Sequence, residues 1–127
     1  MPIGGLLLLN LAASLLHFAH NAEYLTDYPN LPAWLGRSDV YLVWLVQAAV
    51  GVGGYAFYRR GRRLAGLLLM GVYAAAGFDG LLHYTRAPFG AHTPMMNFTI
   101  GLECSAAGVL LIAVVASVAK PRGREPA

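Results

Sequence analysis

Charge is scarce in this chain. Only 12% of its 127 residues are Asp, Glu, Lys or Arg, against roughly 25% in an ordinary soluble domain. That is too little to coat a water-exposed surface, and 57% of the residues are apolar. Cysteine is nearly absent too: Cys104 stands alone inside an apolar run. A single thiol excludes an intrachain disulfide and CxxC chemistry, and it leaves the redox compartment unread. There is no internal repeat and no low-complexity segment. The net charge of +3 is no nucleic-acid signal, because the basic residues cluster where a membrane topology would put them. What remains is the membrane class.

A bilayer-spanning helix needs about 20 mainly apolar residues. Four segments qualify: Ile3 to Asn21, Ser38 to Tyr58, Leu64 to Tyr84, and Pro94 up to Lys120. Ser38-Asp39 reads as an N-cap pair, and Thr93-Pro94 as a cap followed by proline at the first helical position. An open strand edge could not be satisfied in lipid, so all four are helices. The first run lacks a basic leading region and a clear cleavage site, so it is read as a span and not as a signal peptide. The expectation is an all-α integral membrane protein. Residues 1–120 form one antiparallel four-helix bundle, and residues 121–127 form a short disordered cytoplasmic tail.

The basic residues set the orientation. Arg59, Arg60, Arg62 and Arg63 join the second and third spans, and Lys120, Arg122 and Arg124 follow the fourth. Only Arg37 and Arg86 fall at the other end. Both termini are then cytoplasmic, in a plasma or bacterial inner membrane, and the two longer loops face outward or to the periplasm. Tyr24, Tyr28, Trp34 and Tyr84 are expected there as an interfacial aromatic belt.

This topology sorts the ionisable groups. All four histidines, His17, His20, His83 and His92, fall in the outward half, as do Asp79 and Glu103. At ~1.5 Å per residue, each span brings a polar group to one layer roughly 6–14 Å below its outer end. Asn10, Ser14, His17 and Asn21 form one stripe on the first helix. Gly71, Ala75, Asp79 and His83 step by four along the third, and Gln47, Gly51 and Gly54 line the second. Small residues beside polar ones let helices approach closely. Intramembrane acids are functional groups by default, set against a competing role in helix assembly alone.

The first functional expectation is a metal centre built from His17, His20, Asp79, His83, His92 and Glu103. Asn21, Gln47, Asn97 and Thr99 would support these ligands. Imidazole suits copper, zinc and iron, and a cation would neutralise the buried acids. Asp79-Gly-Leu-Leu-His83, with His92 in the following loop, is similar over those three ligand-type residues to the Asp/His/His copper site of the membrane copper monooxygenases. The last interval differs from that site. The resemblance favours copper over zinc or iron and carries no function with it; the metal centre would serve metal handling or oxidative chemistry.

The second expectation is a b-type haem electron-transfer subunit, with His17 or His20 facing His83. The third is a metal-free membrane enzyme or proton-coupled binder of a lipid-like substrate, in which the acids and histidines handle protons. Whether the chain is an enzyme stays open. The expected partners are the lipid bilayer and a homo-oligomer or larger membrane complex, with no nucleic acid.

Overall fold

The computed structural model describes residues 1–120, and the expected tail lies outside the described residues. The described chain is helical, without strands. Its helices are α1 (Ile3–Glu23), α2 (Arg37–Arg59), α3 (Arg63–Ala76), α4 (His83–Arg86) and α5 (Pro94–Ala119). Four stretches are long and apolar enough to cross a membrane: α1, α2, α5, and Arg63–Arg86, which runs from α3 through a 3-10 turn at Asp79–Leu82 into α4. Even the shortest, at 21 residues, reaches about 32 Å at ~1.5 Å per residue, matching a hydrocarbon core of about 30 Å.

Thr93 caps α5 as its sequence suggests. Its hydroxyl accepts the Met96 N–H at 3.2 Å, and Pro94 opens the helix. The α2 cap differs from the Ser38-Asp39 pair. The cap residue is Gly36, and the Asp39 carboxylate reaches back to accept the Gly36 N–H at 2.8 Å. An acid at the third helical position does this more readily than one at the cap itself, because it satisfies the donor just outside the helix.

Each long helix packs on two others. α1 touches α2 and α5, and α3 touches the same two, which closes a ring. One end of the ring holds an apolar core of Leu7, Leu67, Met70, Tyr73, Leu110 and Val114. Phe18, Ala22 and Val40 form a smaller cluster toward the long loops. Side chains such as Leu8, Leu42, Leu68, Val72, Ile112 and Val115 are exposed, the inverted surface that lipid accepts and water does not.

The closest helix contact is between α2 and α3. A Cβ added at Gly66 would lie 2.5 Å from the Tyr58 nitrogen and 2.6 Å from the Gly54 oxygen. Both are backbone atoms, so no side-chain rotation could relieve the clash. Gly51 is pressed as closely by the Tyr73 ring, 2.5 Å from its would-be Cβ. The Tyr73 hydroxyl then meets Ser14 at 3.0 Å, and the Trp44 indole N–H donates to the same Ser14 at 3.1 Å. These bonds mark the boundary between the apolar core and the polar layer.

The third span does not present the face read from its sequence. Ala75 is exposed and Gly71 only half-buried, whereas Gly66, Met70, Tyr73 and Ala74 are buried. The span leaves α-geometry at Gly77 and tightens into the 3-10 turn. A 3-10 turn advances about 120° per residue in place of 100°, so a step of four no longer keeps one face. The break turns Gly80 and His83 into the bundle and leaves Asp79 half-buried beside them.

Gly66→Ala should cost about 1–3 kcal/mol, as overpacked sites do, and lower the thermal midpoint of the detergent-solubilised protein. Gly53→Ala, whose Cβ would meet nothing within 4 Å, should leave that midpoint unchanged or slightly raised.

Candidate functional site

The polar stripe of α1 faces inward along its whole length. Asn10, Ser14, His17 and Asn21 are 0%, 1%, 2% and 8% exposed. His17 is held from α5: its Nδ1 lies 3.3 Å from the Thr99 hydroxyl. Its Nε2 lies 3.7 Å from Oε2 of Glu103, longer than a hydrogen bond but within ion-pair range. Glu103 is 0% exposed, and neither of its carboxylate oxygens has a hydrogen-bond partner. An ionised carboxylate at this depth needs a compensating charge.

His83 comes to the same place from the third span. Its ring stands edge-on to that of His17, with centroids 5.6 Å apart. The Asn21 amide N–H donates to His83 Nε2 at 3.1 Å, and His83 Nδ1 has no partner. His92 stands behind it at 6.2 Å between centroids. The Pro88 carbonyl can only accept, so His92 Nδ1 carries the hydrogen of their 3.1 Å bond. The unpartnered Nε2 of His92 is therefore a free lone pair in the neutral ring.

The other expected residues are placed around this centre. Asp79 accepts a 2.8 Å bond from the Gln47 amide, which ties α2 to the third span. His20 sits at the rim, half-exposed, with its Nδ1 2.9 Å from the Tyr28 hydroxyl. Asn97 works in the loop and not at the centre. It accepts from the Tyr84 hydroxyl at 2.9 Å and donates to the carbonyls of Phe89 and His92. That bracing fixes the segment that carries His92.

Tyr28 corrects the aromatic-belt expectation. Trp34 at 77% and Tyr24 at 52% are exposed, but Tyr28 is 3% exposed. Its ring lies 4.8 Å from that of His83. Burial pushes the Tyr28 phenol up to about 12. The phenol thus stays protonated at physiological pH. The loop that carries it is pinned by Asn30, which adopts a left-handed φ of 57° and donates to the Arg86 carbonyl at 2.9 Å. Asparagine tolerates that conformation. No periodicity in the sequence announces such a loop; the Pro29-Asn30 turn signal was the one available hint.

A cavity of about 180 Å³ opens beside the centre. His17, Asn21, Asp79, His83 and Arg86 are its polar lining, and Phe18, Leu31, Leu35 and Leu82 its apolar lining. Gly80 also lines it. A methyl added there would sit 3.5 Å from both Glu103 Oε2 and His17 Nε2, in ordinary contact.

The centre therefore gathers His17, His83 and Glu103, supported by Asn21 and Thr99, with His92 behind and Asp79 on the cavity wall. Among the described residues, no three of the His, Cys, Asp and Glu side chains lie close enough together to hold one metal ion. No family model matches the chain, and no curated protein or solved structure matches it.

Tyr28→Phe should destabilise the protein by about 1 kcal/mol, the net worth of one hydrogen bond, in a detergent thermal melt. Tyr24→Phe, at an exposed position, should change nothing. Equal and negligible effects of the two would return Tyr28 to the interface.

Proposed function

We propose that the chain is an integral membrane protein that takes the polar head of a lipid-like molecule into the cavity between α1 and the third span and exchanges a proton with it through His17 and Glu103. One observation carries this reading. A wholly buried carboxylate without a hydrogen-bond partner faces an imidazole at 3.7 Å, beside a cavity lined by both polar and apolar side chains. A buried acid and base at such a distance suit general acid–base work, since either can hold the proton while the other carries none. The cavity is below the roughly 300–1,000 Å³ of a pocket for a whole drug-sized molecule. A head group or short fragment fits, and the tail stays among lipid past the exposed Leu82.

An antiparallel arrangement goes with this reading. Opposite helix ends meet: the would-be Cβ of Gly4 against the Tyr55 hydroxyl, Glu23 with Tyr41, and Arg63 with the Ser117 carbonyl. The arginine cluster Arg59–Arg63 would then lie in the cytoplasm, with the termini, and the centre in the outward half of a plasma or bacterial inner membrane.

The second reading is a transition-metal centre, copper before zinc or iron, on the same residues. It is favoured by distances. Two ligand atoms sharing a tetrahedral ion stand about 3.4 Å apart, and two such imidazoles have centroids about 5 Å apart. The observed 3.7 Å and 5.6 Å are close to both. It ranks second because a third ligand would have to move in. A b-type haem fits less well. The cavity beside the histidines has no room for a porphyrin.

Native mass spectrometry and elemental analysis of one purified sample separate the readings. The expected result is a co-purifying amphiphile, no stoichiometric metal, and at least a tenfold loss of occupancy in Leu35→Trp, about 1.4 kcal/mol. Stoichiometric copper, zinc or iron that disappears in Glu103→Gln would hand the centre to the second reading.

A further inference from the structure

We infer that the molecule taken up at the cavity carries a primary ammonium joined to a phosphate, the head group of a phosphoethanolamine lipid, with its ammonium on Asp79 and Asn21 and its phosphate on Arg86. The inference rests on the reading of the cavity as a lipid head-group site, and it names the head group which that reading leaves open.

Two opposite charges share the cavity without meeting. Asp79 and Arg86 both line it, yet the only ion pairs among the described residues are His17–Glu103 and Arg37–Glu23. Arg37, the other arginine at this end of the bundle, is thus paired with an acid, at 2.6 Å. The Arg86 guanidinium is left with one long bond, to the Asn30 carbonyl at 3.4 Å. Asp79 is half-buried and held by Gln47 at 2.8 Å, whereas Arg86 is exposed. The acid therefore marks the deeper end of the site and the base the shallower. They are seven positions apart, which is about 12 Å along the axis at ~2.0 Å per 3-10 residue and ~1.5 Å per α residue. A single charge would satisfy one of them. A head group with a charge at each end satisfies both.

The unpartnered atoms identify the deeper charge. Asn21 Oδ1, Gln47 Oε1 and both oxygens of Glu103 are buried without a hydrogen-bond partner. Asn21 and Asp79 line the cavity, Gln47 holds Asp79, and Glu103 lies behind Gly80. Carbonyl and carboxylate oxygens accept. Buried acceptors are costly to leave without donors, and a positive group with several N–H bonds is what this set lacks. A primary ammonium has three donors, as lysine does. A quaternary ammonium has the same charge and none. The primary ammonium also has a proton to give. Through His17, one of its N–H bonds breaks and one O–H bond forms on Glu103. Ammonium and carboxylate become amine and acid, with no change in total charge.

Arg86 identifies the shallower charge. A guanidinium fork matches the paired oxygens of a phosphate. A further anionic group at the inner end, such as the carboxylate of a phosphoserine lipid, would be brought against Asp79. Leu82 is exposed and lines the cavity, so the tail has an apolar way out.

The test adds phospholipids of identical chains to the delipidated protein in detergent and reads bound lipid by native mass spectrometry. Lipid that also binds Leu35→Trp, whose cavity is blocked, is surface lipid and is subtracted. Phosphatidylethanolamine should bind about tenfold or more tighter than phosphatidylcholine or phosphatidylglycerol, the worth of one hydrogen bond to a charged group. Asp79→Asn should bring it down to the level of phosphatidylcholine, and Arg86→Gln should weaken it by about tenfold. Free phosphoethanolamine, which has no tail, should compete only weakly. Equal cavity binding of phosphatidylethanolamine and phosphatidylcholine by the native protein would overturn the inference, whether or not either variant folds, and would leave the lipid reading standing. Binding that is the same in the native protein and in Leu35→Trp would overturn both. Competition by free phosphoethanolamine as strong as that of the lipid would overturn the lipid as the source of the head group.

Discussion

The burial of Glu103 is the constraint on which the rest of this structure depends. A carboxyl group without exposure in a bundle of membrane-length apolar helices has a standing cost. Insertion scales place an acid at the bilayer centre at about +2.5–3.5 kcal/mol. The fold brings polar groups from all four spans to the part of the bundle that holds it. His17 comes from α1, Gln47 with Asp79 from α2 and the third span, His83 from the third span, and Thr99 from α5. The apolar half of the bundle then has to supply the cohesion. It does so through close backbone contact, with Gly54 facing Gly66 and Tyr73 laid over Gly51. Lipid gives helices no hydrophobic reason to associate, so contact at this range is what remains.

Much of this was legible in the sequence, for a physical reason. The spans are long apolar runs, and length alone separates them from loops. The inward stripe of α1 was legible because α1 is a regular helix, so a step of three or four keeps its face. Glu103 and Thr99 on α5 were legible for the same reason. The third span was not, because its geometry changes at Gly77 and no residue pattern measures that change. Reading it as a continuous helix put Gly71 and Ala75 inside, whereas Gly80 is the residue that faces the pair. Tyr28 was misplaced because a tyrosine near a membrane boundary has two good positions, and only the conformation of the Pro29-Asn30 turn chooses between them. His20 and Asn97 were found by type but not by role: one stands at the rim, and the other braces a loop.

The proton and metal readings are closer chemically than they look, and Asn21 is where they part. As placed, the Asn21 amide N–H occupies the lone pair of His83 Nε2, so Nδ1 of the neutral ring carries a hydrogen. In that tautomer His83 presents a donor to its surroundings, which suits an oxygen of a head group. The Asn21 carbonyl oxygen is itself buried and unpartnered. Turning the amide over would let that oxygen accept the Nε2–H of His83 and free Nδ1 as a lone pair, which is what a cation requires. One side-chain rotation therefore converts the third member of the centre from a donor into a ligand. The carboxylate requires positive charge or a proton in either setting, and the choice between them turns on the hydrogen bond made by Asn21.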